Sequence, residues 1–485
     1  MTARGGDRGA VALVLHSHMP YVEGFDTWPF GEEWLWEALA TVYLPILEVL
    51  DGAPVTLGLT PVLLDQFGTL DGDAGERFDS FLRDIRAPIH DEDSDGLERT
   101  GFPDLAAEIR RAAADYVQAE RLFTQHRNLL DAFTRLSGPE IWTSTATHAV
   151  LPLLATDAGI QLQIGAGVAS NEQRFDGWEG GFWLPECAYV PGLERHLAVH
   201  GVKRFCVDQT DAWGIGALDH LEPVATPAGP VALPIDWKTV ELVWSFTGYP
   251  SDGRYRDYHR RTTHDLHAWN IAGHGYQYDV AQKLAKTHAR EFVEHCAARL
   301  DTYRAERGRP GLITCALDTE LLGHWWYEGL TFLRAVLDEA DRQGVPLVRT
   351  SDVAVEPVER DLAASTWGRP KDMTTWDSPR VADFAWTARQ AELRTLRQFA
   401  AAGGNGNGHG PAFERAAREL LALQASDWAF QVTHDLAGDY PTRRITAHAE
   451  GLDAALAALT DSAPVPEPTV RNLAPGLDLS PLLSP

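Results

Sequence analysis

Five short apolar runs in the sequence lack the alternation of polar and apolar residues that marks a strand with one exposed face. They are Val11–Leu15, Val55–Leu59, Leu162–Gly165, Arg204–Val207 and Leu312–Leu317. Continuous apolar runs of this length are typical of parallel strands that are covered on both faces. Helical stretches lie between the runs, as in repeating strand–helix units. The pattern therefore predicts an α/β fold built around a barrel of parallel strands.

Other parts of the chain depart from this pattern. Charged helical segments, of which Asp104–His126 is the clearest, predict a helical insertion at about residues 66–138. After residue 361 no strand is evident, and apolar residues recur at helical spacing. The helices expected there are Ala382–Ala402, Pro411–Ala425 and Pro441–Leu459. We predict a barrel over residues 1–360 that contains the insertion, a helical C-terminal domain over 361–462 and a Pro-rich, disordered tail over 463–485.

A glycine-rich segment, Gly403–Gly410, lies between two of the predicted C-terminal helices. It has no preceding strand, which a phosphate-binding loop would require. We therefore predict that it is a flexible connection between helices.

The composition excludes several classes of function. A formal net charge of −27 would repel phosphate backbones and anionic lipid surfaces, so neither nucleic acid nor a membrane is an expected partner. The four cysteines lie far apart and form no CxxC pair, which argues against a zinc cage or a disulfide framework and fits a reducing compartment. The apolar stretch Ala10–Leu15 is too short for a signal-peptide core. We expect a cytoplasmic protein.

Two carboxylates, Glu186 and Asp318, each lie where an apolar run ends in an aromatic-rich loop. Catalytic groups of parallel barrels lie at the carboxyl ends of strands. Cleavage of a glycosidic bond needs one carboxyl group as proton donor and a second as nucleophile or base, and aromatic rings offer sugars a flat surface. The pair favours sugar chemistry. The plainer alternative is an ion pair or a helix cap, and Glu320 is a rival of Asp318 because both project to the same face.

Three histidines are further candidates. His16 and His18 are two residues apart on a predicted strand and so project to one face. They could ligate a metal ion together with a carboxylate, hydrogen-bond to sugar hydroxyls, or serve only the structure. His148, on a helix predicted at Ala146–Leu153, is either a core histidine or a sugar contact.

Five motifs resemble, in order, the signature regions of glycoside hydrolase family 57. They are His16–Tyr21 (HSHMPY), Trp142–Leu153 (WTSTATHAVLPL), Phe182–Tyr189 (FWLPECAY), Ala316–Trp326 (ALDTELLGHWW) and Gln424–Trp428 (QASDW). Within that family the chain most resembles the α-1,4-glucan branching enzymes, because the run from Val243 through Tyr249 is similar to their mobile loop with a tyrosine at its tip.

The resemblance implies a (β/α)7 barrel with an inserted helical domain and a helical C-terminal domain. It also implies a retaining mechanism without a metal or another cofactor. Glu186 corresponds to the nucleophile and Asp318 to the general acid/base, and a retaining mechanism places the two carboxyl groups about 5–5.5 Å apart. Burial near Trp325 is expected to raise the pKa of Asp318. For the three histidines, the resemblance favours hydrogen bonds to sugar hydroxyls.

The resemblance also implies further substrate contacts. These are Trp325, Trp367, Trp376, Asp427 and Trp428, together with Tyr249 as a lid that keeps water from the glycosyl-enzyme. For the tryptophans the alternative is a structural role between domains, and for Tyr249 an ordinary surface turn.

The chain departs from the family in two segments. Arg369-Pro-Lys-Asp372 stands where Gly-Gly-Asp is usual, and His264–Tyr278 is shorter and lacks the expected aromatic pattern. Trp269, Tyr276 or Tyr278 could replace the missing aromatic wall near the donor site.

The most favoured function is that of a 1,4-α-glucan branching enzyme, which cuts an α-1,4 bond and re-forms it as α-1,6. Its partner would be an α-1,4-glucan such as amylose or glycogen. The alternatives are an α-amylase or 4-α-glucanotransferase of the same family, a metal-dependent hydrolase or deacetylase that uses His16 and His18, and a non-catalytic glucan-binding protein.

Overall fold

The structure is a computed structural model that describes residues 8–403, 410–461, 470 and 472–484. Most of the predicted glycine-rich connection therefore lies outside the described residues. The strands in the described part are Gly9–Ser17 (β1), Thr56–Leu59 (β2), Glu140–Ser144 (β3), Gly181–Trp183 (β4), Arg204–Val207 (β5), Val224–Ala225 (β6), Val231–Pro234 (β7), Gly311–Asp318 (β8) and Val358–Glu359 (β9).

Seven of these strands form the wall of a barrel. Their hydrogen-bonded order is β8-β1-β2-β3-β4-β5-β7, and every neighbouring pair in this series is parallel. A parallel bridge from Ile235, just after β7, to Thr314 in β8 closes the ring. Two short strands, β6 and β9, extend the sheet beyond β7. The predicted (β/α)7 barrel is confirmed.

The predicted strand at Leu162–Gly165 is wrong. These residues lie inside the helix Asp157–Arg174, whose first turn is capped by the Thr156 hydroxyl accepting from the Gly159 amide. Leu162 and Ile164 are buried against neighbouring elements. A run of four residues with apolar ends does not distinguish a buried strand from the inner face of a helix.

Helices pack around the barrel and fill the predicted insertion. Those before β8 are Glu32–Ala38, Ile46–Leu50, Pro61–Phe67, Asp73–Ser80, Ala87–Arg99, Pro103–Gln125, Leu129–Thr134, Asp157–Arg174, Glu194–Val199, Thr210–Trp213, Trp237–Val240 and Tyr278–Arg307. Phe78, Phe81 and Phe123 of the insertion belong to the same hydrophobic core as the barrel strands. The domain limits at residues 66–138 stay a prediction.

A helical region follows the barrel. The last barrel helix is Gly329–Gln343. The helices of the region that follows are Ala382–Gly403, Pro411–Leu423, Asp427–Thr433, Tyr440–Asp461 and Ser480–Leu483. It has its own hydrophobic core, to which Tyr21 and Val62 of the barrel contribute. The described residues contain no helix with the length and apolar character needed to cross a membrane.

The disordered tail predicted at residues 463–485 is wrong for the part that the structure describes. Val470, Leu473, Leu479 and Leu482 are buried in the core of the helical region. The Ala474 amide also donates to the carboxylate of Asp65 at 2.7 Å. The proline content suggested disorder, but the apolar side chains between the prolines let this segment pack. The rest of the predicted tail lies outside the described residues.

Leu482→Ala should destabilise the protein by about 2–5 kcal/mol, because it removes a fully buried side chain and leaves a cavity. Calorimetry can measure the loss as a lower unfolding temperature. Leu436→Ala, at a half-exposed position, is the matched control and should have little effect. Equal unfolding temperatures for the two variants would contradict a packed tail.

Candidate active site

Three predicted histidines meet at the carboxyl ends of the first barrel strands. His16 lies in β1, His18 just after it and His148 after β3. The Nε2 atoms of His16 and His148 are 2.9 Å apart, and the His18 and His148 rings stack at 4.0 Å. The His16 ring also stacks on Trp183 of β4 at 4.4 Å. The fold therefore brings His148 to the predicted pair of His16 and His18.

The predicted helix at Ala146–Leu153 is wrong. His148 lies in a turn with a left-handed φ of 61°, and only Leu151–Leu153 forms a 3-10 turn. The Thr145 hydroxyl accepts from the Ala149 amide at 2.9 Å, and the His148 carbonyl accepts from the Ser426 amide at 3.2 Å. A left-handed non-glycine residue persists only where its surroundings hold it in place. Here the C-terminal region supplies part of that support.

Glu186 follows β4 and also has a left-handed backbone, with a φ of 59°. Its carboxylate accepts hydrogen bonds from the Trp367 indole nitrogen and from the Ser426 hydroxyl, each at 3.1 Å. Burial raises the pKa of Glu186 to about 7, and these two hydrogen bonds oppose the rise because they favour the ionised form.

A chain of hydrogen bonds connects Glu186 to the histidines. His148 Nδ1 lies 2.9 Å from Ser426 Oγ. Since Ser426 gives its proton to Glu186, the network assigns an N–H to His148 Nδ1 and an N–H to His16 Nε2. Burial and the nearby His18 charge lower the pKa of both imidazoles well below the usual range, which keeps them neutral. The chain fixes the orientation of the Glu186 carboxylate without adding a full charge.

Asp318, the last residue of β8, lies opposite His16 in the sheet register. Burial, with the Glu320 and Glu186 charges nearby, raises the pKa of Asp318 well above its usual range. No donor among the described residues bonds to the Asp318 carboxyl group. Glu320, by contrast, accepts from the Tyr43 hydroxyl and from the His18 amide at 3.1 Å. Asp318 is thus available to a ligand, whereas Glu320 is held by the protein.

His18 forms an ion pair with Asp427, the first residue of the helix Asp427–Thr433. Its Nε2 lies 3.0 Å from both carboxylate oxygens. Burial opposes a charge on His18, but Asp427, with help from Glu320 and Glu186, raises the pKa of the imidazole above its ordinary value. The helical region therefore contributes a charged group to the site.

Two of the predicted tryptophan contacts lie in the core instead. Trp376 and Trp428 are only 4% and 1% exposed. The Trp428 indole donates to the Ala422 carbonyl at 2.9 Å, and the Arg444 guanidinium lies over its ring. Neither ring offers a face to a sugar, so the structural alternative is the better description of both. Trp367 is only partly buried and contacts Glu186 directly.

Exposed aromatic rings that sequence analysis largely missed form a rim between the loop after β8 and the segment from Trp244 to Tyr258. Trp325 is 39% exposed and meets Trp244 (38% exposed) edge to face at 5.9 Å. Tyr258 lies 5.8 Å from His324, the neighbour of Trp325. Trp244 belongs to the loop from Val243 to Tyr249, and Tyr258 follows that loop. We call Trp244, Tyr258 and Trp325 the aromatic rim.

Tyr249 was predicted to be a lid at the tip of its loop, but it does not lie at an exposed loop tip. Its ring stacks on His288 at 4.4 Å and lies 6.0 Å from Phe332, at the base of the loop. Phe246 is the most exposed aromatic residue of this loop, at 88%. The candidate replacements in the shortened segment are also engaged elsewhere.

Trp269 packs with Ile109 of the insertion, Tyr276 donates to Glu328 at 2.6 Å, and Tyr278 lies against Arg111. Trp269 and Tyr278 thus contact the insertion, and Tyr276 contacts Glu328. None of the three belongs to the aromatic rim.

The histidine pair does not form a metal site in the described part of the chain. No three histidine, cysteine, aspartate or glutamate side chains there are grouped so that they could hold a metal ion. His16 bonds to His148, and His18 bonds to Asp427. Both histidines are thus bonded within the protein, and their role in binding sugar hydroxyls stays a prediction.

Comparison with known proteins agrees with the barrel and with the helical region that follows it. Residues 12–363 match Glycosyl hydrolase family 57, and residues 388–474 match the C-terminal region of 1,4-alpha-glucan branching enzymes. The chain is 32% identical, over 96% of its length and 95% of the relative's, to a probable 1,4-alpha-glucan branching enzyme of Mycobacterium tuberculosis.

Solved structures of two other enzymes have the same overall fold as this chain. A family 57 branching enzyme from Pyrococcus horikoshii superposes with a TM-score of 0.90 at 28% identity, covering 98% of this chain and 97% of the other. An alpha-amylase from Thermotoga maritima gives a TM-score of 0.80 at 25% identity, covering 94% of each chain.

The fold and the site thus define a glycoside-bond enzyme with a (β/α)7 barrel, and the chain belongs to glycosyl hydrolase family 57. Within that family its two-part organisation is that of the 1,4-α-glucan branching enzymes, as the sequence predicted.

Asp427→Asn should lower the pKa of the His18 imidazole. Burial, the largest influence, lowers this pKa, and the substitution removes the main negative charge that raises it. NMR titration of histidine ring signals can measure the change. Asp435→Asn, at an exposed position, is the control. An unaltered His18 titration in Asp427→Asn would contradict the ion pair.

Proposed function

We propose that this family 57 branching enzyme acts on α-1,4-glucans with Glu186 as nucleophile and Asp318 as general acid/base. The observation that supports this most is the contrast between the two carboxyl groups. Glu186 is held by two donors that favour its ionised form, whereas Asp318 is partly buried, favoured in its protonated form and not bonded by any described residue. Such a split of pKa values assigns acid and nucleophile roles in glycosidases.

In the first half of the proposed reaction, Asp318 gives its proton to the glycosidic oxygen of an α-1,4 bond. Glu186 attacks the anomeric carbon from the opposite face and forms a covalent glycosyl-enzyme, while the reducing-end part of the chain leaves. The Trp367 and Ser426 donors hold the Glu186 carboxylate in a fixed orientation, which lowers the entropy cost of the attack.

In the second half, the deprotonated Asp318 takes the proton from the 6-hydroxyl of an acceptor glucan. The acceptor oxygen attacks the anomeric carbon and displaces Glu186, which forms an α-1,6 bond. Each step inverts the configuration, so the product retains the α configuration. Water in place of the acceptor would give hydrolysis, and the ratio of the two products depends on how well the site excludes water.

The loop from Val243 to Tyr249 is well placed to exclude water. On one side its Trp244 meets Trp325, seven residues after Asp318 in the chain. On the other side its Phe246 lies 5.6 Å from the Arg369 guanidinium, two residues after Trp367. The loop thus bridges the segments next to the acid and next to the nucleophile. We propose that Phe246 is its covering residue and that Tyr249 anchors its base.

Incubation with amylose tests the proposed function. We expect a loss of iodine staining and new α-1,6 proton signals by NMR, with few new reducing ends. Reducing ends without α-1,6 signals would favour the α-amylase alternative, and new α-1,4 linkages alone would favour a 4-α-glucanotransferase. Glu186→Gln should lower activity by roughly three orders of magnitude or more. Glu172→Gln, at an exposed position, is the control.

Phe246→Ala should raise the ratio of reducing ends to α-1,6 bonds severalfold, because water would reach the glycosyl-enzyme more easily. The measurement combines a reducing-end assay with NMR on the same sample. Tyr249→Ala is the companion variant, and it should shift the ratio through a loosened loop base. If neither variant changes the ratio, the loop does not exclude water.

A further inference from the structure

Lys371 lies in the segment Arg369-Pro-Lys-Asp372, where the chain departs from its family, and its ammonium group is enclosed by three partners. It donates to Asp208 Oδ2 at 2.7 Å and to the Trp367 carbonyl at 2.8 Å, and it lies 3.6 Å from the centre of the Trp237 ring. The Lys371 side chain is 14% exposed and that of Asp208 is fully buried. The ammonium group therefore makes two hydrogen bonds and one cation–π contact.

Asp208 fixes this ion pair to the barrel. It directly follows β5, and its other carboxylate oxygen accepts from the Thr210 amide at 2.8 Å. A buried ion pair is costly to separate, because either charge alone would remain desolvated. Lys371 therefore ties the segment that carries Trp367 to a rigid strand end.

The same segment carries the main contacts of Glu186. The Trp367 amide donates to the Glu186 carbonyl at 2.9 Å, and its indole nitrogen donates to the Glu186 carboxylate at 3.1 Å. The Lys371 bond to the Trp367 carbonyl thus acts on the residue that holds both the backbone and the carboxylate of Glu186. The segment also closes on itself through the Thr366 amide, which donates to the Lys371 carbonyl at 3.2 Å.

We propose that the buried Lys371–Asp208 pair is a positioning device for the nucleophile, and that it acts through Trp367. This inference rests on the proposed role of Glu186. Lys371 touches neither substrate nor Glu186 in this scheme. It keeps the Trp367 indole directed at the Glu186 carboxylate, so that the carboxylate is ionised and aligned.

The charged and titratable groups around Glu186 come from several elements. His148 and His18 come from the turns after β3 and β1, Asp318 from β8 and Asp427 from the helical region. None of these groups contacts Lys371 directly. The Cys187 thiol, next to Glu186, is affected by the charges of both Glu186 and Lys371. The double variant Asp208→Asn/Lys371→Met, which removes both charges of the pair, therefore separates a direct charge effect on Glu186 from transmission through Trp367.

Lys371→Met tests the proposal, with the pH dependence of kcat on amylose as the readout. We expect kcat to fall about tenfold at neutral pH with little change in KM, since a misaligned nucleophile weakens the transition state more than substrate binding. The acidic limb of the profile should move to higher pH by about one unit, because Glu186 without its indole donor holds its proton more tightly.

A double-mutant cycle with Trp367→Phe separates positioning from mere stability. If Lys371 acts through Trp367, Trp367→Phe should shift the acidic limb in the same direction, and the double variant Lys371→Met/Trp367→Phe should be no worse than Trp367→Phe alone. Lys238→Met is the matched control, because it removes an exposed lysine next to Trp237. Additive effects, or an acidic limb that stays in place, would overturn the proposal.

If Lys371→Met does not fold, Asp208→Asn/Lys371→Met removes both charges and keeps the site neutral. Recovered unfolding temperature with a displaced acidic limb supports positioning. Recovered stability with an unaltered profile overturns it. Failure of the proposed function is distinguishable, because the unsubstituted protein would then show no cleavage of amylose, or Glu186→Gln would keep full activity.

Discussion

The removal of three carboxyl groups from water, at the carboxyl ends of β4 and β8, is the constraint on which the rest of the site depends. A buried carboxylate is unfavourable unless donors or positive charges compensate it. Each of the three is handled differently. Glu186 receives neutral donors and Glu320 is bonded by Tyr43 and by a backbone amide, whereas no described donor bonds to Asp318 and its pKa is raised well above the usual range.

That division explains why so much of the neighbourhood is polar yet uncharged. The neutral chain from His16 through His148 and Ser426 supplies direction, and the single imidazole with a raised pKa, His18, is matched by Asp427. The left-handed backbone at His148 and Glu186 fits the same account. Both residues are turned toward the cluster at a conformational cost that the surrounding hydrogen bonds offset.

The barrel could be predicted because its strands are buried on both faces. β1, β2, β5 and β8 follow the apolar runs closely, since a covered strand needs no polar alternation. The same signal failed at Leu162–Gly165, where a helix buries one face with similar residues. Glu186 and Asp318 were predictable from their place at strand ends. Ser426, Trp244 and Lys371 were not, because their contacts depend on how distant segments meet, which local spacing does not record.

Ser426 and Asp427 reach the barrel from a helical region more than two hundred residues further along the chain than Glu186. The candidate active site is consequently divided between two parts of the chain that could otherwise be exchanged as modules. A barrel of this type cannot be combined freely with the helical region of another protein. A chimera would have to preserve the contact of Ser426 with Glu186 and that of Asp427 with His18. Divergence within the family should thus run along the loops at the rim, where neither contact is at stake.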